Sequence, residues 1–227
     1  MARASGEPGR DCPRCPRLVA FRRTWRAREP HWFNAPVPSF GPRDARLLIV
    51  GLAPGLRGAN RTGRPFTGDY AGDLLYATLR KSGFAQGPYE ARPDDGLMLV
   101  DCRITNAVRC APPDNKPTVR EIATCRPFLS AVIAEMPRLA IVLALGRVAH
   151  DTVVAALGGR ASATGFAHGS ARPLGHVMLV DSYHCSRLNT NTGVLTARMF
   201  GKVFAQIRAQ LDAAPASRPA GATAETS

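Results

Sequence analysis

The sequence predicts an α/β fold, a three-layer α/β/α sandwich around a central, mostly parallel four-stranded sheet. Four short, nearly continuous apolar runs at 47–51, 97–101, 139–145 and 177–181 have the length and composition of strands covered on both faces. Segments with helical spacing lie between them, an alternation that favours parallel strands with helices on both sides. Each run is followed by a polar or glycine-rich loop, and in a parallel sheet such loops gather at one edge, where α/β proteins bind ligands.

Taken in order, the run at 47–51 opens the sheet and leads into a glycine-rich loop. Ala71, Leu74, Leu75, Thr78 and Leu79 then recur at helical spacing, with Gly83 as a C-terminal stop. The run at 97–101 supplies the second strand. Thr118-Val119-Arg120-Glu121 is a capping box that opens a second helix. Pro127 is expected to kink or restart that helix, whose apolar face continues through Phe128, Leu129, Val132 and Ile133. Segments 148–157 and 196–211 are further helices, each after a strand. No internal repeat is present. The organisation expected is a flexible N-terminus at 1–10, one domain over 11–213, and a disordered tail at 214–227 rich in Ala, Pro, Ser, Thr and Gly.

A chain of 227 residues, 45% of them hydrophobic, suits one domain with a well-buried core and excludes disorder throughout. No apolar run approaches the ~20 residues of a membrane-spanning helix. Residues 1–17 alternate Arg with Gly and Pro and lack the apolar stretch of a signal peptide, so a soluble, intracellular protein is expected. The net charge is +13, from 30 Lys and Arg against 17 Asp and Glu, which favours a polyanionic partner such as nucleic acid. Lysine occurs only at Lys81, Lys116 and Lys202. A GC-rich genome explains the choice of arginine over lysine but not the excess of base over acid.

Six cysteines in an intracellular protein do not point to structural disulfides. Cys12 and Cys15 form a C-x-x-C pair, and Cys110 and Cys125 follow far downstream. Four such residues suit zinc or an iron–sulfur group. Prolines 13, 16, 112 and 113 lie beside them, which favours iron–sulfur. The plain alternative is a set of buried thiols.

The loop Gly51-Leu52-Ala53-Pro54-Gly55 lets backbone approach a ligand closely at Gly51 and Gly55, and Pro54 stiffens it. It has neither the Gly-Lys-Ser/Thr of a P-loop nor Gly-x-Gly-x-x-Gly. Downstream, Arg61 and Arg64 flank Gly63, and Phe66 follows Pro65, which is expected to hold it in extended backbone. An aromatic so placed can stack on a base while the arginines meet phosphates; the plain alternative is a core plug. Asp69 precedes the first helix and suits its N-cap, a role that leaves the carboxylate rigid and ionised. His184 follows the fourth strand, opposite the glycine loop, and Asn106 follows the second, where it is either a base-reading amide or a turn residue.

Gly51-Leu52-Ala53-Pro54-Gly55 through Arg61-Thr62-Gly63-Arg64-Pro65-Phe66-Thr67-Gly68-Asp69, with His184-Cys185-Ser186-Arg187-Leu188-Asn189 later, resembles the uracil-DNA glycosylase superfamily. More narrowly it resembles the type-b, or fifth, family, whose relatives are the iron–sulfur type-a enzymes. The resemblance covers roughly 11–204. It implies a structural [4Fe–4S] cluster on Cys12, Cys15, Cys110 and Cys125, and removal of uracil, with other deaminated bases such as hypoxanthine, from DNA. The partner implied is DNA containing such bases, and the setting a monomer in the cytoplasm, associated with the nucleoid through DNA. Ala53 stands where type-a relatives carry a carboxylate, so water activation there is lost. Cys185 stands where the family usually has proline and is expected to loosen the loop.

On that resemblance Asp69 and His184 are the catalytic pair, His184 stabilising charge on the departing base and Asp69 the sugar cation or the attacking water. Phe66 stacks on the extruded base, Asn106 reads its edge, and Gly51, Ala53, Gly55 and Asn189 complete substrate binding. Arg187 and Leu188 enter the duplex where the base leaves. Two other readings compete: a non-catalytic nucleic-acid-binding protein with zinc or iron–sulfur, and a small-molecule or nucleotide hydrolase built on the glycine loop.

Overall fold

A computed structural model describes residues 6–213. The tail expected at 214–227 and the first five residues lie outside the described residues. The described chain runs α1 (Pro16–Arg28), β1 (Leu47–Gly51), α2 (Ala59–Thr62), α3 (Tyr70–Lys81), β2 (Ala85–Gln86), β3 (Met98–Leu99), β4 (Cys102–Asn106), α4 (Val119–Ala134), β5 (Ile141–Leu145), α5 (Arg147–Ala156), β6 (Ala171–Leu174), β7 (Val177–Ser182), α6 (Arg187–Asn191) and α7 (Ala197–Ala213).

The central sheet has the order β4-β1-β5-β7-β6. Strands β4, β1, β5 and β7 are mutually parallel, and β6 is antiparallel at the edge. Successive residues of β1 point into different layers. Leu47 and Ile49 pack with Leu75 and Leu79 of α3 and with Phe200, Phe204 and Ile207 of α7. Leu48 and Val50 pack with Leu129 and Val132 of α4 and with Ala149 and Val153 of α5. This is the three-layer arrangement expected of continuous apolar strands. From β1 the chain crosses first to β4 and then back past β1 to β5. The strand order therefore reverses beside β1, and a crevice opens at the C-terminal edge there.

Two strand expectations are corrected. The sheet has five strands and not four: the added edge strand, Ala171-Arg172-Pro173-Leu174, is only partly buried, and its proline and polar content hid it from a search for apolar runs. The second central strand is Cys102–Asn106, not 97–101. Met98 and Leu99 instead pair with Ala85 and Gln86 in a separate two-stranded sheet. Asp101 breaks the run with φ 53°, held by Arg46, whose backbone N–H and Nε each donate to its carboxylate at 2.8 Å. Every residue of Cys102-Arg103-Ile104-Thr105-Asn106 is buried, although three of the five are polar. Arg103 is accommodated through the Gly41 carbonyl and Glu7.

The helices follow their sequence signals. Asp69 caps α3, accepting from the Gly72 N–H at 3.1 Å. Thr118 and Glu121 form the reciprocal capping box of α4. That helix runs through Pro127 without restarting. A proline there costs about 3 kcal/mol, offset by burial of Leu129, Val132 and Ile133 on the sheet. Helix α1 had no apolar stripe to announce it; of its residues only Leu18 and Arg22 are buried. Residues 6–10 are tied to the body, since the Gly6 N–H donates to Glu135 Oε1 and Glu7 pairs with Arg109 at 2.9 Å. No described helix is long and apolar enough to cross a membrane.

Candidate active site

The parallel register sets Gly51 opposite Asn106, so β1 and β4 end side by side. Beyond them, and beyond the end of β7, lies a cleft of about 510 Å³ lined by Ala53, Gly55, Phe66, Asp69, Asn106, Asn115, His184 and Ser186, among others. Three loops, the first and last more than a hundred residues apart in the chain, thus meet at the crevice that the topology creates.

Each wall has a local cause. Asp69 is held by its capping bond, and its other oxygen lies under the glycine loop. A Cβ on Gly55 would sit 2.9 Å from Asp69 Oδ2, and one on Gly58 only 2.4 Å away. The glycines of this loop therefore make room for a carboxylate. Phe66 is 7% exposed, joins the core and also faces the cleft, so it is both plug and cleft wall. Its backbone is not extended, as Pro65 suggested, but left-handed at φ 53°, a strained conformation for a bulky residue. Its neighbours fix it there. Tyr76 donates to the Pro65 carbonyl at 2.6 Å, and Arg64 grips Asp95 in a buried fork at 2.7 and 2.8 Å. Arg64 is therefore unavailable to phosphate, contrary to expectation, whereas Arg61 is exposed.

Asn106 is the last residue of its strand and is 2% exposed. Its side-chain Oδ1 is buried and has no hydrogen-bond partner, an acceptor that asks for a donor from a ligand. His184 stands two residues beyond β7, with its ring centroid 5.9 Å from that of Phe66. Its carbonyl accepts from Asn189 Nδ2 at 2.8 Å. Asn189 is thus placed as a brace for the His184 loop, with its amide turned to that carbonyl, and is not among the cleft-lining residues. Cys185 does not loosen the loop: it is fully buried, and its thiol donates to the Ala71 carbonyl at 3.4 Å, joining the histidine loop to the first turn of the helix that Asp69 caps. Arg187 and Leu188 begin α6 beside the cleft. The Arg187 guanidinium lies over the Tyr70 ring at 5.3 Å, and Leu188 is 71% exposed.

Burial dominates the electrostatics. It pushes His184 down to about 4, so the imidazole is neutral near pH 7 and carries a single ring N–H. Burial also raises the Asp69 carboxyl above its usual range, opposed by the Gly72 N–H. A neutral donor and a carboxylate thus share one cleft. Asn115 was missed by sequence reasoning. It enters the cleft from a short 3-10 turn (Pro113–Asn115) with φ 56°, and the only sequence signal is the turn-forming run Pro112-Pro113-Asp114-Asn115.

Cys12, Cys15, Cys110 and Cys125 line one small cavity with Leu18, Val108 and Phe128. The Arg109 N–H points to Cys125 Sγ at 3.4 Å and the Arg22 guanidinium to Cys110 Sγ at 3.5 Å. Among the described residues no three His, Cys, Asp or Glu side chains converge tightly enough to hold one ion. The sulfurs ring a cavity instead of meeting at a point. Cys102 and Cys185 are buried elsewhere.

An aromatic wall, an unpaired amide oxygen, a carboxylate and a neutral imidazole thus meet in one cleft at the switch point of the parallel sheet of an α/β protein. Residues 38–208 match the family model of the Uracil DNA glycosylase superfamily. The chain is 46% identical over 205 residues to a type-5 uracil-DNA glycosylase of Thermus thermophilus, covering 87% of this chain and 92% of that one. It is 41% identical over 198 residues to a type-5 uracil-DNA glycosylase of Pyrobaculum aerophilum, covering 86% of each. A type-4 uracil-DNA glycosylase of the latter organism is 33% identical over 158 residues, 69% of this chain and 66% of that one. The chain belongs to the uracil-DNA glycosylase superfamily and, within it, to the type-5 family.

Proposed function

We propose that this chain excises uracil, and also hypoxanthine, from DNA by hydrolysing the N-glycosidic bond. The observation that carries the reading is the buried, unpartnered Asn106 Oδ1 facing the same cleft as Phe66, Asp69 and His184. An acceptor at that point selects for an N–H on the base edge. Uracil has one at N3 and hypoxanthine at N1, where cytosine and adenine present a bare ring nitrogen. Deamination is therefore the change that an acceptor can read.

The target nucleotide leaves the duplex for the cleft at a cost of a few kcal/mol. Leu188 fills the gap, with Arg187 beside it. Phe66 stacks on the base. As the bond between C1′ and the base nitrogen breaks, electrons pass to the base and the sugar becomes cationic. The neutral His184 donates its N–H to the base oxygen that takes up charge, a stabilisation strengthened by exclusion of water. Asp69 faces the cation and orients the water whose oxygen bonds to C1′; the released proton passes to the solvent or the departing base. Ala53 and Gly55 border this space without contributing a titratable group, so the carboxylate function rests on Asp69.

Cys12, Cys15, Cys110 and Cys125 would hold a [4Fe–4S] cluster. Ligands of one zinc ion lie about 2.3 Å from it, and the absence of such convergence among the described residues favours a polynuclear group. When bound, the cluster supplies a cross-link, with no redox step. It would tie the N-terminal segment and α1 to the loop after β4, which carries Asn115, and to α4. The basic surface supplies the attraction to DNA, which weakens with salt.

Duplex oligonucleotides bearing one uracil, one hypoxanthine or only normal bases, incubated with the protein and then treated with alkali, test the reading. Strand breaks at uracil and hypoxanthine and none at cytosine or adenine are expected. Intact uracil strands would overturn it.

A further inference from the structure

We infer that Arg22 is a built-in counter-charge for the group held by the four cysteines, retaining it and setting its potential. The inference rests on reading those cysteines as cluster ligands. Helix α1 starts beside one of them: Cys15 is its N-cap and Pro16 its first residue. Leu18, Val19 and Arg22 stand three, four and seven residues on, which returns them to the Cys15 side of the helix, and all three line the cavity.

Arg22 is 5% exposed. One terminal nitrogen donates to Cys110 Sγ at 3.5 Å and the other to the Cys12 carbonyl at 3.1 Å. Its Nε is buried with no partner. The nearby carboxylates are engaged elsewhere: Asp11 with Arg26, Glu121 with Arg17 and Glu7 with Arg109. Arg109 lines the same cavity and is buried as deeply, yet it has that carboxylate at 2.9 Å and two neutral acceptors, the Val37 carbonyl and Ser39 Oγ. Arg22 has only sulfur and a carbonyl.

A guanidinium does not lose its proton in a protein, and a buried charge without an opposite charge is strongly destabilising. Asp11 lies near enough to interact with Arg22 but is exposed and bonded to Arg26; the group in direct contact with Arg22 that can carry negative charge is a cysteine sulfur. Bound as thiolates around iron, the four sulfurs leave the site net anionic. The arginine then has its counter-ion and the sulfurs a charged donor, an arrangement that raises the potential and resists ligand loss. Each half is stabilised by the other.

The test compares wild type, Arg22→Met and Arg22→Lys purified without oxygen. It measures iron and sulfide per chain, the rate of loss of visible absorbance under oxygen with a chelator, and the midpoint potential. Loaded Arg22→Met is expected to bleach about tenfold faster than wild type, as loss of a charge-assisted hydrogen bond implies, and to have a lower potential. Arg22→Lys keeps the charge and loses the fork, so its potential stays near wild type while it bleaches faster. If Arg22→Met yields no loaded protein, Arg22→Lys decides. Wild-type bleaching and potential in the loaded Met variant, or a potential in the Lys variant well below that of wild type, overturn the role of Arg22. Wild type free of iron and sulfide overturns the cluster reading itself and with it this inference.

Discussion

Gly51 and Asn106 face each other across the parallel register of β1 and β4, and the space left by the missing glycine side chain is occupied by the amide and by Phe66. A Cβ on Gly51 would stand 2.5 Å from Asn106 Oδ1 and 2.6 Å from Phe66 Cζ. One residue thus sets the position of both the amide proposed to read the base edge and the ring proposed to stack on it. Gly51→Ala is expected to slow single-turnover excision about a hundredfold, because a displacement of about an ångström at the reading group has that effect. The fold should survive with a loss of about 1–3 kcal/mol from overpacking. Rate measurements beside a thermal melt check this; an unchanged rate would mean that the base is read elsewhere.

Leu188 is an exposed apolar side chain at the start of α6, with little to contribute to the folded state. Its proposed role is in the complex, filling the space the base vacates. Leu188→Ala should leave the melting temperature unchanged. It should slow excision from duplex DNA about tenfold more than from a single strand, where no stack has to be opened. Equal slowing on both substrates would remove the wedge role.

The pH dependence follows from His184. Its folded value is pushed down to about 4 by burial, below the ~6.5 of an exposed histidine. Between those values the unfolded chain binds a proton that the native protein refuses, so stability rises with pH in that window. It is fully present above about 6.5 and is lost progressively as the pH falls towards 4. Denaturant midpoints should decline over that interval in wild type and decline less in His184→Ala. Excision should show no loss attributable to protonation of His184 from pH 7 down to pH 5. A histidine titrating near 6.5 in the folded protein would contradict the neutral-donor role.

Most of the layer structure was legible in the sequence because it depends on local pattern. The run at 47–51, the capping box at Thr118 and the Asp69 cap each specify their element with few alternatives. What was not legible depended on tertiary compensation. Cys102–Asn106 is a central strand with buried Arg103 and Asn106, and only the partners Glu7, Gly41 and the cleft make that composition possible. Arg64 reads as a surface charge until Asp95, thirty-one residues away, sequesters it. The left-handed Phe66 could not be foreseen either, since its strain is held by Tyr76 and the Arg64–Asp95 pair. Asp69, His184 and Asn106, singled out by their places at strand ends and a helix start, come together in one cleft. Asn115 was missed because a turn asparagine in a proline-rich loop has no periodicity to mark it, and Asn189 was assigned to substrate because its bond to the His184 carbonyl is invisible in sequence.

Asp69 and His184 are proposed to act together on one base held in one cleft. Single-turnover excision of uracil by wild type, Asp69→Asn and His184→Ala, with DNA affinity measured in parallel, tests this most directly. Each variant is expected to lose about 10²–10⁴ in rate while binding DNA within about threefold of wild type, since both side chains line the cleft and neither is a cation able to pair with phosphate near pH 7. Full rates in both variants, or losses that merely track lost DNA binding, would contradict the account.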